Sequence, residues 1–373
     1  MKQQLLFVGN TFTLNRSFRR YITRHVESST GQNDTISYFH ESDKRLFLHL
    51  EQTLQNRSDI VIVTTQNSFT VVGKFLSTIT NDNLILVEEM LIPSHTVSYE
   101  KNSYLITYDD LKVNVILAEE NCTLPVILFE SPETVQVLHI FDRQMSSLQE
   151  QLKPLALSHD VRLGFSQIVE GWIHVHVKSN RYGNIERFMS IVTNLYKDSS
   201  ISAPNIITYI ISQLASHHKK ITFAESCTGG LLSYFFTQES GVSDVFDGSL
   251  ITYSNVLKAN WLAVDEAKLL QYGAVSAEVV QEMSEGALDV SHADFALSVS
   301  GIAGPSGGTE DKPVGTVYIS ARSKEDINTE HLNFQGDRNY VQEQSAYYAI
   351  KMLLMIDKET FFNKVPKTLD NPD

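Results

Sequence analysis

The sequence predicts an α/β fold with more than one domain, and three observations predict it. With 373 residues the chain exceeds what one ordinary core serves and fits two or three domains. Short apolar runs rich in β-branched residues alternate with helix-periodic stretches, the pattern of parallel, doubly wound sheets. A hydrophobic content of 42% beside 20% charged residues belongs to a folded, water-soluble chain. The expected divisions are a Rossmann-like N-terminal domain over 1–147, a small αβ connector over 148–200 and a C-terminal α/β/α domain over 201–365.

At the front, Leu5 to Val8 reads as a buried strand ending at Gly9, and a basic amphipathic helix follows around Phe18 to Val26. Asp59 to Val63 is a second strand, Val71 to Ile79 a helix and Leu84 to Val87 a third strand. Tyr104 to Leu117 and Pro125 to Phe141 carry the β-branched and aromatic residues of further strands. Leu148 to Asp198 forms the connector: a helix, a strand over Gly171 to Val177, a turn and a helix over Asn184 to Tyr196. His174 and His176, two apart on that strand, share a face. The alternation with Ile173, Val175 and Val177 makes that the solvent side, not a metal site. Ser199 to Pro204 is a short polar linker.

The chemistry concentrates between Ile221 and Lys258. Ile221, Phe223 and Ala224 form a short buried strand, and Leu231 to Phe236 begin a helix, so Ser226 sits on the turn between them. A helix start offers unpaired N–H groups and a favourable dipole for negative charge. Gly229 and Gly230, without Cβ, let a ligand approach the backbone. A serine there also caps helices, so the turn alone leaves both readings open. A serine nucleophile needs a base, and no histidine lies in this segment. Lys258 closes an apolar stretch (Leu250, Ile251, Tyr253, Val256, Leu257) that would depress a lysine pKa from its usual value of about 10.4. A solvated lysine is the ordinary alternative.

Further along, Ile206 to His217 reads as an amphipathic helix, and Asp265 to Tyr272 and Ser276 to His292 as two more. Val279, Met283, Ala287 and Val290 fall at core spacing in the last of these. Asp294 to Val299 is a buried strand ending in the glycine-dense Ser300-Gly-Ile-Ala-Gly-Pro-Ser-Gly-Gly308, where open α/β sheets place ligands. Val314 to Ala321 and His331 to Phe334 extend the sheet, and Asn339 to Ile356 is the closing helix. Arg338, just before that helix, carries the planar fork suited to phosphate.

Ala224-Glu-Ser-Cys-Thr-Gly-Gly230, Thr252-Tyr-Ser-Asn255 with Lys258, Gly273-Ala-Val-Ser276, Ser300-Gly-Ile-Ala-Gly-Pro305, Lys312-Pro-Val-Gly-Thr316 and Gly336-Asp-Arg338 together resemble the CinA C-terminal family, the nicotinamide-nucleotide amidohydrolases. Six motifs in order over about 150 residues are far more specific than any one of them. The resemblance implies Ser226 as nucleophile, Lys258 as base and Tyr253 as its relay or positioner. It implies substrate contacts from Thr228, Gly229, Gly230, Ser243, Ser300, Gly301, Gly304 and Arg338. The implied reaction is deamidation of nicotinamide mononucleotide (NMN) to nicotinate mononucleotide and ammonia, with no cofactor and no metal. Cys227 is the rival nucleophile.

The front domain resembles the N-terminal, molybdopterin-binding-like domain of full-length CinA proteins, which is associated with ADP-ribose pyrophosphatase activity. Where that family carries the glycine-rich loop Thr-Gly-Gly-Leu-Gly-Pro-Thr, this chain has Thr64-Thr-Gln-Asn-Ser-Phe-Thr70. Thr65, Gln66 and Ser68 poorly replace glycine in a loop that wraps phosphate. The family's acidic pair reads Asn10-Thr11 here, which removes metal ligands. The expectation is a retained fold with the pyrophosphatase lost. Alternatives for the whole chain are a non-catalytic nucleotide-binding scaffold or a residual ADP-ribose pyrophosphatase.

Charge and cysteines narrow the partners. A net charge of −14, without a basic block beyond His217-His-Lys-Lys220, argues against nucleic acid as the main partner. Cys122 and Cys227 build neither a disulfide framework nor a four-ligand zinc site, which fits a reducing cytoplasm. No apolar run approaches the length of about 18 residues that a membrane helix needs, and the first residues lack signal-peptide features. The expected partners are a small pyridine nucleotide and a second copy of the chain in a homo-oligomer, a dimer.

Overall fold

Two units make up the chain, Met1–Val135 and Gln136–Asp373, and the computed structural model describes residues 2–130, 134–179 and 182–362. The expected end of the C-terminal domain at residue 365 lies outside the described residues. Among these, no helix is long and apolar enough to cross a membrane.

The first unit carries β1 (Lys2–Val8), α1 (Asn10–Leu14), α2 (Arg16–Thr30), β2 (Thr35–Phe39), α3 (Arg45–Gln55), β3 (Ser58–Thr64) and α4 (Gln66–Ile79). The strands β4 (Leu84–Val87), β5 (Met90–Pro93), β6 (Thr96–Glu100), β7 (Ser103–Tyr108) and β8 (Leu111–Leu117) follow. Its sheet runs β2-β1-β3-β8-β7-β6, parallel from β2 through β8 and antiparallel beyond. Every residue of β3 is buried, as a central strand covered on both faces requires. The Leu84–Val87 strand exists but leaves this sheet and pairs with β5 as a separate hairpin. Leu86 there is 73% exposed, so the apolar run is not core. Residues 125–130 are not a strand; side chains hold them instead, with Leu128 N–H donating to Asn114 Oδ1 (2.7 Å) and Ser103 Oγ to the Val126 carbonyl (2.7 Å).

The second unit takes all but the first two residues of β9 (Thr134–Phe141) and continues with α5 (Met145–Ser158), β10 (Val161–Val169), β11 (Trp172–Ser179), α6 (Ile185–Leu195) and β12 (Ser200–Ser202). These give a four-stranded sheet, β10-β11-β9-β12. β10 has no counterpart in the sequence reading, and it pairs antiparallel with β11 along almost its whole length. Leu138, Ile140, Ile173, Val175 and Val177 pack with α5 and α6 on one face. His174 and His176 occupy the other, but not as open surface: His174 stacks on buried His139 (4.8 Å between ring centres) and meets His176 edge-on (4.5 Å). His139 Nε2 bonds the Ala203 carbonyl while Trp172 Nε1 donates to its Nδ1, and burial depresses all three imidazole pKa values.

The remainder contains α7 (Ile206–Ser216), β13 (Ile221–Glu225), α8 (Leu231–Thr237), β14 (Ser249–Ile251), α9 (Asn255–Leu262), α10 (Glu266–Tyr272) and α11 (Ala277–Ser291). It closes with β15 (Phe295–Gly301), β16 (Thr316–Ser323), β17 (Ile327–Asn333), α12 (Arg338–Ile356) and α13 (Lys358–Phe362). The sheet order is β14-β13-β15-β16-β17; β14, β13 and β15 are parallel and the last two strands antiparallel. One face packs on α7, α8 and α12 through Phe223, Leu297, Phe236, Ile210 and Leu353. The other packs Ala224 and Ala296 against α9, α10 and α11. In α11, Val279, Met283 and Ala287 are buried as their spacing predicts, whereas Val290 is 56% exposed: the helix turns it off the core edge.

One contact sets where α9 lies. A Cβ at Gly286 of α11 would stand 2.0 Å from the Leu262 carbonyl oxygen, so the two helices meet backbone to backbone. Gly286→Ala is expected to lower stability by about 1–3 kcal/mol, the usual range for overpacking. Urea unfolding checks this, and an unchanged midpoint would show that the spacing is not held there.

Candidate active site

β13 delivers Ser226 at the carboxyl end of the sheet, and the Ser226 N–H donates to the Val299 carbonyl of the neighbouring strand (2.9 Å). α9, capped by Ser254 at its start, turns Lys258 inward. Lys258 is 1% exposed and Ser226 8%. The Lys258 Nζ stands 3.0 Å from Ser226 Oγ, 2.7 Å from the Thr252 carbonyl and 3.3 Å from the Tyr253 carbonyl. Among the described residues no carboxylate pairs with this amine. Burial, which penalises the ammonium form, holds its pKa down to about 8. The sequence expectation that joins these two side chains therefore has a geometry: an amine without counter-ion, in hydrogen-bond reach of a hydroxyl.

The glycine turn is arranged differently from the sequence reading. Glu225, fully buried, accepts at Oε2 from the N–H groups of Gly230 (3.0 Å) and Leu232 (3.1 Å), and at Oε1 from the Ser233 N–H (3.0 Å) and hydroxyl (2.7 Å). The Gly229 N–H closes on the Ser226 carbonyl (3.1 Å). Gly229 and Gly230 are thus glycines for their positive φ values, 60° and 101°, and their amides are already engaged. The Cys227 and Thr228 amides, next along the chain from the serine, have no backbone acceptor among the described residues, and the Cys227 N–H is in reach of its own thiol. Thr228 Oγ1 and Thr252 Oγ1 are also buried without a partner.

Tyr253 touches the lysine through its carbonyl. Its side chain is 60% exposed, and its hydroxyl accepts from Arg338 Nη2 (3.0 Å). Arg338 also donates to the Gly304 carbonyl (2.8 Å). It borders an open cleft of about 240 Å³ with Ala303, Pro305, Val314 and the Gly336–Asn339 turn. Ser300 is buried and donates to the Ala274 carbonyl (2.7 Å), holding the loop before α11. Gly301 lacks a side chain because a Cβ would meet the Thr316 carbonyl oxygen at 2.8 Å, and Gly304 has φ 84° with Val314 packed where its Cβ would be. The protein itself fills both spaces. Ser243 does not join the cluster. It is exposed in a short 3-10 turn, and Val245 there bonds Ile221 at the start of β13, the end opposite Ser226 and about 15 Å away at the usual rise per strand residue.

Cys227 is 5% exposed, and burial pushes its thiol up to about 12, which leaves almost no thiolate near neutrality. Among the described residues no group of three or more His, Cys, Asp or Glu side chains is placed to hold a metal ion. In the first unit, residues 65–70 are not a phosphate loop: Thr65 caps α4, its N–H donating to Ser68 Oγ (2.9 Å), which itself donates to the Val8 carbonyl (2.7 Å). Glu41 accepts from the Thr65 hydroxyl (2.7 Å), placing the protein's own carboxylate at that helix start. His40 bonds Asn10, and Thr11 donates to Glu120 (2.6 Å).

Two residues of the cluster escaped the sequence reading. Glu225 had a signal: an acid ending a short strand of Ile, Thr, Phe and Ala is rarely buried without dedicated partners. Gln342 had none. Its Nε2 donates to the Cys227 carbonyl (2.6 Å) from the second turn of α12, where no local pattern marks it.

Residues 204–356 match the model of the CinA C-terminal domain. A CinA-like protein of Endomicrobium trichonymphae is 36% identical over 230 residues, 58% of this chain and 54% of that protein. A CinA-like protein of Thermotoga maritima is 48% identical over 144 residues, 39% of this chain and 35% of that one. The chain therefore spans about half, or less, of the length of these relatives. The crystal structure of the competence/damage inducible protein CihA from Agrobacterium tumefaciens is 32% identical, with TM-score 0.40, over 42% of this chain and 97% of that one. Through its C-terminal domain, the chain belongs to the CinA family.

Proposed function

We propose that this protein is a Ser/Lys amidohydrolase that deamidates nicotinamide mononucleotide. The observation that carries the reading is the buried, counter-ion-free Lys258 amine 3.0 Å from Ser226 Oγ. Neutral Lys258 takes the hydroxyl proton as Oγ attacks the carboxamide carbon. The Cys227 and Thr228 amides face the charge that develops on the carboxamide oxygen. The C–N bond breaks, the proton on Lys258 passes to the nitrogen, and ammonia leaves an acyl-enzyme. Water, deprotonated by the same amine, then cleaves the ester to nicotinate mononucleotide and restores Ser226. Arg338 is the cation available to the nucleotide phosphate, and Tyr253 supports both Arg338 and Lys258. For the first unit we propose no pyrophosphatase role, because Glu41 stands where a phosphate would need donors.

Ammonia release from NMN tests the assignment. Ser226→Ala and Lys258→Met are expected to lose turnover by at least about a thousandfold, as removal of a nucleophile or its base does, while Cys227→Ala keeps it. Full activity in Ser226→Ala would reverse the roles.

The working form of Lys258 is the neutral one, so kcat/KM rises with pH through an apparent pKa near 8 and levels above it. A flat profile between pH 7 and 9 would remove the lysine as base. Stability follows the same group. Between about 8, its folded value, and the unfolded value of about 10.4, the unfolded chain binds more protons, so the native state gains with rising pH. Relative to Lys258→Met, the wild type is expected to gain on the order of 3 kcal/mol across that interval, read from urea midpoints at pH 7.5 and 10; a constant difference would contradict a depressed lysine.

A further inference from the structure

Helix α12 reaches both halves of the dyad, and we propose that Gln342 is a positioning residue that couples the phosphate end of the substrate to the nucleophile turn. The inference rests on the Ser226–Lys258 reading above and deepens it. Gln342 Nε2 donates to the carbonyl of Cys227, the residue directly after the nucleophile. Arg338 lies one helical turn earlier, at the i, i+4 spacing that puts two side chains on one face. Its guanidinium holds the Gly304 carbonyl and the Tyr253 hydroxyl, and the Thr252 and Tyr253 carbonyls hold Lys258 Nζ. Two side chains one turn apart therefore touch the serine's turn and the lysine's loop.

The helix between and beyond them is stiff. α12 runs for 19 residues, and Val341, Ser345, Ala346, Ala349 and Leu353 along it are fully buried, so close packing makes it shift as a piece. An anion arriving at Arg338 competes with the Gly304 and Tyr253 oxygens for guanidinium donors. The load falls on the same helix that pins the Cys227 carbonyl. Binding energy from a part of the substrate that does not react is then spent on holding the parts that do. Removing the phosphate costs kcat as well as KM, and Gln342 is the residue through which that cost passes.

The test measures kcat and KM for wild type and Gln342→Ala with NMN and with its dephosphorylated nucleoside, nicotinamide riboside. On NMN, Gln342→Ala is expected to lose about tenfold in kcat, the scale of one neutral hydrogen bond, with KM within about twofold. The ratio of kcat between the two substrates, well above one in wild type, falls toward one in the variant. Gln342→Glu, of the same length but with no N–H to donate, loses at least as much. Wild-type kcat in either variant, or an unchanged substrate ratio, overturns the inference. If wild type hydrolyses neither compound, the substrate reading fails separately, and the rate at which a sulfonyl fluoride labels Ser226 decides: slower labelling in Gln342→Ala sustains the coupling, and equal rates overturn it.

Discussion

A primary amine kept dry is what the second unit is built to hold. Water would stabilise the ammonium form, so the first requirement is exclusion, and Lys258, carried inward on α9, meets it at 1% exposed. The second requirement is that nothing anionic replaces the water. Both carbonyls that receive the amine, those of Thr252 and Tyr253, are neutral acceptors, which orient it without the full charge that would fix a proton there. The hydroxyl of Ser226 completes the set, and the amine is left with a reactive neighbour.

The buried acid that neighbours this arrangement is spent elsewhere. Glu225 lies fully buried one residue before the nucleophile, and an unpaired carboxylate there would be costly. Four donors from the first turn of α8 receive it, so its charge is balanced by peptide dipoles rather than by Lys258. The same bonds tie the helix to the end of β13 and fix the turn between them. The division of labour is physical: the later amides of the turn satisfy the carboxylate, and the earlier ones, at Cys227 and Thr228, take no part in holding it.

Much of this was legible in the sequence. Alternating apolar runs gave β1, β3, β13 and β15 and the long helices, because buried strands and amphipathic helices write their own periodicity. Ser226 and Lys258 were recoverable from motif and local chemistry together. What periodicity does not carry is the partner of each hydrogen bond. Gly230 looked like an oxyanion donor until the position of Glu225 was known, and Ser243 looked like part of the site although its turn sits at the far end of the strand. β10, at the edge of its sheet, alternates Val161, Leu163 and Phe165 with Arg162, Gly164 and Ser166, a readable period that shifts only at Gln167, where the ladder itself is irregular. Leu84–Val87 failed in the opposite sense: apolar residues made a hairpin that the core did not need.

Glu41 at the start of α4 has a consequence for how the first unit folds. In a phosphate-wrapping domain, part of the electrostatic balance is left for a visitor to complete, and stability then depends on how much of that visitor is present. Here the chain supplies the negative group itself, through Thr65. That helix start is therefore balanced from within the chain, and the carboxylate that balances it belongs to the folded unit at every concentration of solutes.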